Sequence, residues 1–240
     1  NFFCKPMKTT KIYWAYCNSK YQYRAEEPVP VWQNYFKNKD IKEQGLEYVR
    51  CPAFKDFYNN TFGLTSLFDY DIAFKDGNVH TEMHDQKFFE DMVHVRNHES
   101  RLASFKSWYI FIAVDESLEM EFLPSTMENN VFNKSAIMIP AVLDVGKYVR
   151  IQECAFHCRE DKMEIKENEI YSYVKFKTNN QIKLQRFLWT DAIENVIEDS
   201  MIGLKHYRRR TFKPLEWYYK KQQAFKTKQR VIKLLKENLL

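Results

Sequence analysis

The chain has 240 residues, 45% apolar and 16% aromatic, enough to build one large core and too apolar for wholesale disorder. Its five glycines are scattered at Gly45, Gly63, Gly77, Gly146 and Gly203, which excludes the glycine-rich phosphate loops of P-loop enzymes and dinucleotide-binding dehydrogenases. The net charge of +5 hides an asymmetry: residues 205–240 carry twelve Lys or Arg against only Glu216 and Glu237, so a mildly acidic body precedes a strongly basic end.

Residues 1–35 are aromatic and irregular, with Ile12 to Tyr16 as a short predicted strand. The start, Asn1-Phe2-Phe3-Cys4-Lys5-Pro6, lacks the charged-then-apolar layout of a signal peptide, and no apolar run reaches the ~18–20 residues of a membrane span. Pro28-Val29-Pro30-Val31-Trp32 reads as extended, because a proline disfavours helix at the residue before it. Residues 38–47 read as a polar loop, Leu46 to Arg50 as a strand, and Phe54 to Phe62 as a short helix. Leu64 to Phe74 alternates loosely and ends at Asp76-Gly77-Asn78, a hairpin-turn signal. Residues 86–104 read as a weak helix or a long excursion.

From Trp108 the pattern is β. Trp108 to Val114 is a buried-strand run, and Leu118 to Leu123 alternates with period two. Ala136–Leu143, Tyr148–Phe156, Met163–Ile165, Ile170–Phe176 and Ile182–Trp189 continue the series at a spacing typical of a sandwich or barrel. Asp191 to Ile202 is a predicted helix ending near Gly203. A last helix is expected from Pro214 to Leu240, with Tyr218, Phe225, Ile232 and Leu239 recurring every seven residues. The expected fold class is therefore α+β, mainly β: an antiparallel β-sandwich or jelly-roll core with C-terminal amphipathic helices. The expected division is a β-rich globular domain at 1–204 and a basic helical extension at 205–240.

Pro30-Val31-Trp32 and Cys51-Pro52-Ala53-Phe54, followed by His84-Asp85-Gln86, the aromatic stretch 105–122, Ala141 to Tyr148, and Ile165 to Phe176, resemble a family of uncharacterised phage proteins with a jelly-roll-like core. The C-terminal Trp217-Tyr218-Tyr219-Lys220-Lys221 resembles that family too, and the likeness spans roughly residues 28–225. It implies a phage origin and a β-sandwich, and no chemistry. The richness in Lys, Asn, Phe and Tyr agrees with an AT-rich genome of the kind many phages have. Ala141-Val142-Leu143-Asp144 with Tyr148 is also similar to a motif of trimeric dUTPases, which implies Asp144 as a catalytic carboxylate. The chain departs from that motif: Ala141 stands in place of its glycine, Tyr148 lies one residue further on, and residues 167–172 lack the second motif.

Four of the six histidines lie within nineteen residues: His80, His84, His94 and His98. Each pair has i, i+4 spacing, which on a helix puts both imidazoles on one face, and Glu82, Asp85 or Glu99 supply nearby carboxylates for zinc or iron. His80-Thr81-Glu82 has the His-x-carboxylate spacing of a non-haem iron oxygenase, with His157 as third ligand and Arg159 for an acidic co-substrate. The plainer reading is surface histidines. Cys154-x-x-His157-Cys158 offers three soft ligands, but on a strand the two cysteines face one way and His157 the other. The odd, scattered set of five cysteines reads as free thiols in a reducing compartment.

Lys205, Arg208, Arg209 and Arg210, with Lys220 and Lys221, form a cationic set for an acidic partner or phosphates, and Tyr218, Phe225, Ile232 and Leu239 form an apolar stripe for packing or docking. These features favour a non-enzymatic interaction protein, a virion component or a host-directed factor, with a protein partner. Nucleic acid is a second partner through 205–240, homo-oligomer formation stays open, and no membrane association or secretion is expected. No cofactor is expected. The alternatives are a metal-dependent oxygenase built on the histidine cluster and a nucleotide hydrolase built on Asp144.

Overall fold

The computed structural model describes residues 8–37, 51–75, 78–82, 86–115, 117–208 and 215–240. Fourteen strands are described: β1 (Thr9–Tyr16), β2 (Val29–Pro30), β3 (Thr61–Thr65), β4 (Tyr70–Lys75), β5 (Asn78–His80), β6 (Val93–Asn97), β7 (Leu102–Ala113), β8 (Glu119–Pro124), β9 (Ala136–Met138), β10 (Ala141–Asp144), β11 (Ile151–Cys158), β12 (Lys162–Ile165), β13 (Ile170–Phe176) and β14 (Gln181–Arg186). The helices are α1 (Val31–Lys37), α2 (Pro52–Tyr58), α3 (Gln86–Met92), α4 (Val131–Ser135), α5 (Asp191–Arg208), α6 (Leu215–Ala224) and α7 (Thr227–Lys236). The fold is mainly-β α+β.

Two sheets form the sandwich. The first has the order β14-β1-β7-β11-β9, with β6 also on β7; the second has the order β10-β8-β13-β3-β2. A small third sheet, β12-β4-β5, lies beside them in the order given. Pairing is antiparallel except between β1 and β14, which run parallel with Thr9 opposite Gln181 and Trp14 opposite Arg186. The long β7 has three neighbours: along one edge its first half pairs with β6 and its second with β1, and β11 pairs along the other edge. The division falls near Trp108, whose φ of +61° bends the strand.

Sequence alternation explains the layers. On β1, Ile12, Trp14 and Tyr16 point between the sheets, while Tyr13 and Ala15 join a second apolar cluster on the opposite face. On β7, Tyr109, Phe111 and Ala113 face inward and Ile110 and Ile112 outward. Both strands are apolar on both faces because both faces are covered. Between the sheets, Phe111 meets Phe176 edge-on with centroids 5.7 Å apart, and Phe105 meets Tyr171 at 5.5 Å.

Helices cover the outsides. Ile193 and Ile197 of α5 and Val231 and Leu235 of α7 are buried against Tyr13, Ala15, Ile110 and Ile112. On the second sheet, Val31 of α1 and Tyr58 of α2 are buried with Ile170 and Tyr173, and Trp32 and Phe54 pack beside them. The layers run helix, sheet, sheet, helix.

Several elements differ from expectation. Val31 and Trp32 are helical, because proline restricts the residue before it and not the one after; Pro30 therefore ends β2 and lets α1 begin at once. Residues 86–97 divide into α3 and β6. Helix α5 continues through Gly203 to Arg208, so the expected boundary at 204/205 falls inside a helix. The expected single helix from Pro214 is two, broken after Ala224, where Lys226 adopts φ +49° and ψ +40°. The strand expected at 46–50 lies outside the described residues. The hairpin is present as β4 and β5 with Lys75 opposite Asn78, while its turn, 76–77, lies outside them.

Candidate interaction surface

Asp144 ends β10, and both its oxygens are occupied. Oδ1 accepts from the N–H groups of Leu118 (3.1 Å), Gly146 (3.0 Å) and Lys147 (3.1 Å); Oδ2 accepts from the Ser117 hydroxyl (2.9 Å) and lies 2.9 Å from the Lys147 ammonium. Burial pushes this carboxyl up, but the Lys147 ammonium, the Leu118 N–H and the Ser117 hydroxyl outweigh it and hold it below the usual range. Glycine is required at 146, where a Cβ would lie 2.6 Å from the Leu118 nitrogen. Lys228 of α7 donates to the carbonyls of Val114, Asp115 and Gly146, tying α7 to the same turn. Asp144 thus organises a turn through a full set of donors.

The described histidines sit on several elements. His80 is exposed at the end of β5, opposite Ala73, and Glu82 is exposed just after it. Buried Asp71 accepts from the Thr81 hydroxyl (2.7 Å) and the Glu82 N–H (3.0 Å), which fixes that corner. His94 is half-buried on β6; His98, in the following turn, packs edge-on against Phe74. His157 is exposed on β11, while Cys154 and Cys158 are buried on the opposite face, as strand alternation dictates. His84 lies outside the described residues. Among the described residues no three His, Cys, Asp or Glu side chains gather in a metal-holding group.

The C-terminal candidates separate into inner and outer sets. Tyr218 is buried, and Ile232 is half-buried against the apolar cluster on the outer face of the first sheet. Leu239 forms a bridge to Phe187, beyond the end of β14, and stays partly exposed. Gln222, an interruption in the apolar stripe, is buried: its Oε1 accepts from Val149 N–H and its Nε2 donates to the Val149 carbonyl. Trp217 and Phe225 are 43% and 57% exposed. The Lys221 ammonium lies between them, 5.9 and 5.7 Å from their ring centroids, and donates to the Asp199 carbonyl. Lys220 pairs with Glu216 at 2.7 Å in the open, while Lys226, just after Phe225, and Arg230, Lys233 and Lys236 of α7 are exposed. Lys205 and Arg208 lie on the last turns of α5; Arg209 and Arg210 fall outside the described residues.

Sequence reading passed over a second surface. Strands β9 and β10 are end strands of the two sheets, joined by Ile139-Pro140, and Ile137, Ile139 and Val142 are exposed along them. The stretch 136–143 carries no charge. Three other end strands are guarded: β14 carries Lys183 and Arg186, β12 carries Lys162 and Glu164, and β2 is two residues ending in proline. The lack of charge was the available signal.

Among the described residues no helix is long and apolar enough to cross a membrane. No family model matches the chain, and no curated protein matches it in sequence.

Proposed function

We propose that this chain is a non-enzymatic interaction protein of phage type, a virion component or host-directed factor, that holds an acidic protein partner on the outer side of its C-terminal helices. The observation that carries the reading is the stripe Trp217–Lys221–Phe225: two exposed aromatic rings with an ammonium between them, on and just after a helix whose other side is fastened to the sandwich by Tyr219 and Gln222. Exposed aromatic rings supply apolar anchors, and the surrounding cations steer and orient an acidic partner. A rigid backing lowers the ordering cost of binding. The uncharged β9–β10 edge gives a sandwich-side contact for a neighbouring chain.

The motifs that resemble the phage family fit a packing role. The rings of Trp32 and Phe54, one from each motif, lie 6.4 Å apart on the outer face of the second sheet. The experiment is affinity capture from phage-infected cells, and from purified particles, with the intact chain and with a Trp217→Ala, Phe225→Ala variant. An acidic protein recovered by the first and lost from the second supports the reading. Equal recovery by both contradicts it.

A further inference from the structure

A cleft of about 250 Å³ opens at one end of the sandwich, where the start of β3 and the turn between β13 and β14 meet the first turn of α1. None of its twelve lining residues is charged. Asn60, with φ +55°, builds the floor: its amide nitrogen donates to the carbonyls of Thr178 (2.9 Å) and Asn180 (2.8 Å), and its oxygen accepts from Ile182 N–H (3.3 Å). Asn180 donates in turn to the Thr10 hydroxyl at 3.0 Å, so the floor joins both sheets. The rim is different. Gln33, Asn59, Asn179 and Gln181 are exposed carboxamides lining the cleft, each with a donor and an acceptor to offer. Trp32, half-buried, adds an indole to the same wall.

We infer that this cleft is a binding site for a neutral sugar ring. A hydroxyl is both donor and acceptor, and neighbouring hydroxyls on a pyranose match a carboxamide, which presents both. The C–H face of the ring suits the indole of Trp32. An anionic ligand would lose water here and meet no opposite charge. The volume lies below the ~300–1,000 Å³ of drug-sized pockets, which suits one ring and not an extended molecule. This site stands apart from the C-terminal stripe in residues and in ligand chemistry.

The test is saturation-transfer NMR on the intact chain with D-glucose, D-galactose, D-mannose and N-acetyl-D-glucosamine, and with glucuronate as the charged control. At least one neutral sugar should receive saturation and glucuronate should not. The Asn179→Ala, Gln181→Ala variant, altered only at exposed side chains and checked by its melting curve, should weaken binding at least tenfold; Trp32→Phe, which keeps an aromatic ring, should weaken it less. Disaccharides of the responding sugar distinguish its source: tighter binding assigns the terminal ring of a larger glycan, equal binding a free monosaccharide. The inference is overturned by no transfer to any neutral sugar at tens of millimolar, by transfer to glucuronate equal to that of the responding neutral sugar, or by a double variant that binds like the parent.

Discussion

The carboxamide of Gln222 grips both backbone polar groups of Val149, accepting from its N–H at 3.0 Å and donating to its carbonyl at 2.8 Å. Gln22 does the same to Trp189, accepting at 2.7 Å and donating at 3.1 Å. Each glutamine completes a stretch of backbone that has no strand neighbour, and each does so while buried. Gln222 thereby fastens α6 to the loop before β11. Replacing it by Leu keeps the volume but leaves two buried groups unmatched, at roughly 1–3 kcal/mol each before relaxation. Urea denaturation of Gln222→Leu should show a loss of ~2–4 kcal/mol.

The C-terminal helices are part of the body's stability. Leu235 is fully buried against the outer face of the first sheet, and Leu235→Ala should cost ~2–5 kcal/mol in the same assay. A chain ending at residue 204 would lose Val231 and Leu235 from the apolar cluster around Ile110 and Ile112 while keeping Ile193 and Ile197, and should bind a hydrophobic dye and aggregate. A monomeric, cooperatively melting truncation would contradict this packing.

Two carboxylates should pull stability in opposite directions with pH. Asp144 is held below its ordinary value of 3.8, so its contribution is present above that value and lost as pH falls through the lower native one. Glu128 is raised from 4.5 by burial, more than the Tyr35 and Tyr173 hydroxyls lower it. Its contribution is complete below 4.5 and lost as pH rises through the native value. Melting curves should therefore show Asp144→Asn losing part of the acid sensitivity. Glu128→Gln, which keeps an acceptor for both tyrosines, should lose the decline above pH 4.5.

The thiols should divide cleanly by burial. Burial pushes Cys154 and Cys158 up to about 12 and raises Cys17 as well, whereas Cys51 is exposed at the start of α2. Among these four, a thiol reagent on the native protein should modify Cys51 within minutes and the others only after denaturant is added. Peptide mapping by mass spectrometry reads the result.

Much of the sandwich was legible. The strands from Trp108 to Trp189 stood out because β-branched and aromatic runs recur between turns, and inner alternation on β11 told the faces of Cys154 and His157 apart. The parallel pairing of β1 with β14 was not legible, since it joins residues about 170 apart and leaves no local trace. The break at Lys226 was hidden because its sequence neighbours carry no Gly or Pro, and αL conformation at a lysine has no sequence signal. At the C-terminus, heptad spacing set Tyr218 and Phe225 on one apolar face, which the break after Ala224 divides. Tyr218 proved inward and Phe225 outward, and Gln222 looked like a gap because its partner is a backbone segment far along the chain. The described histidines sit on different elements, His80 on β5, His94 on β6 and His98 in the turn after it, and close spacing in sequence does not say whether such side chains converge.

The measurement that bears most directly on the proposed function is fluorescence anisotropy of labelled poly-L-glutamate, with a labelled single-stranded oligonucleotide as comparison, across a salt series. Polyglutamate should bind, its affinity should fall as salt rises, and Lys221→Glu with Trp217→Ala should weaken binding at least tenfold with little change in melting temperature. No polyglutamate binding at low salt, an unchanged affinity in that variant, or tighter binding to the oligonucleotide would contradict an acidic protein as the partner of this face.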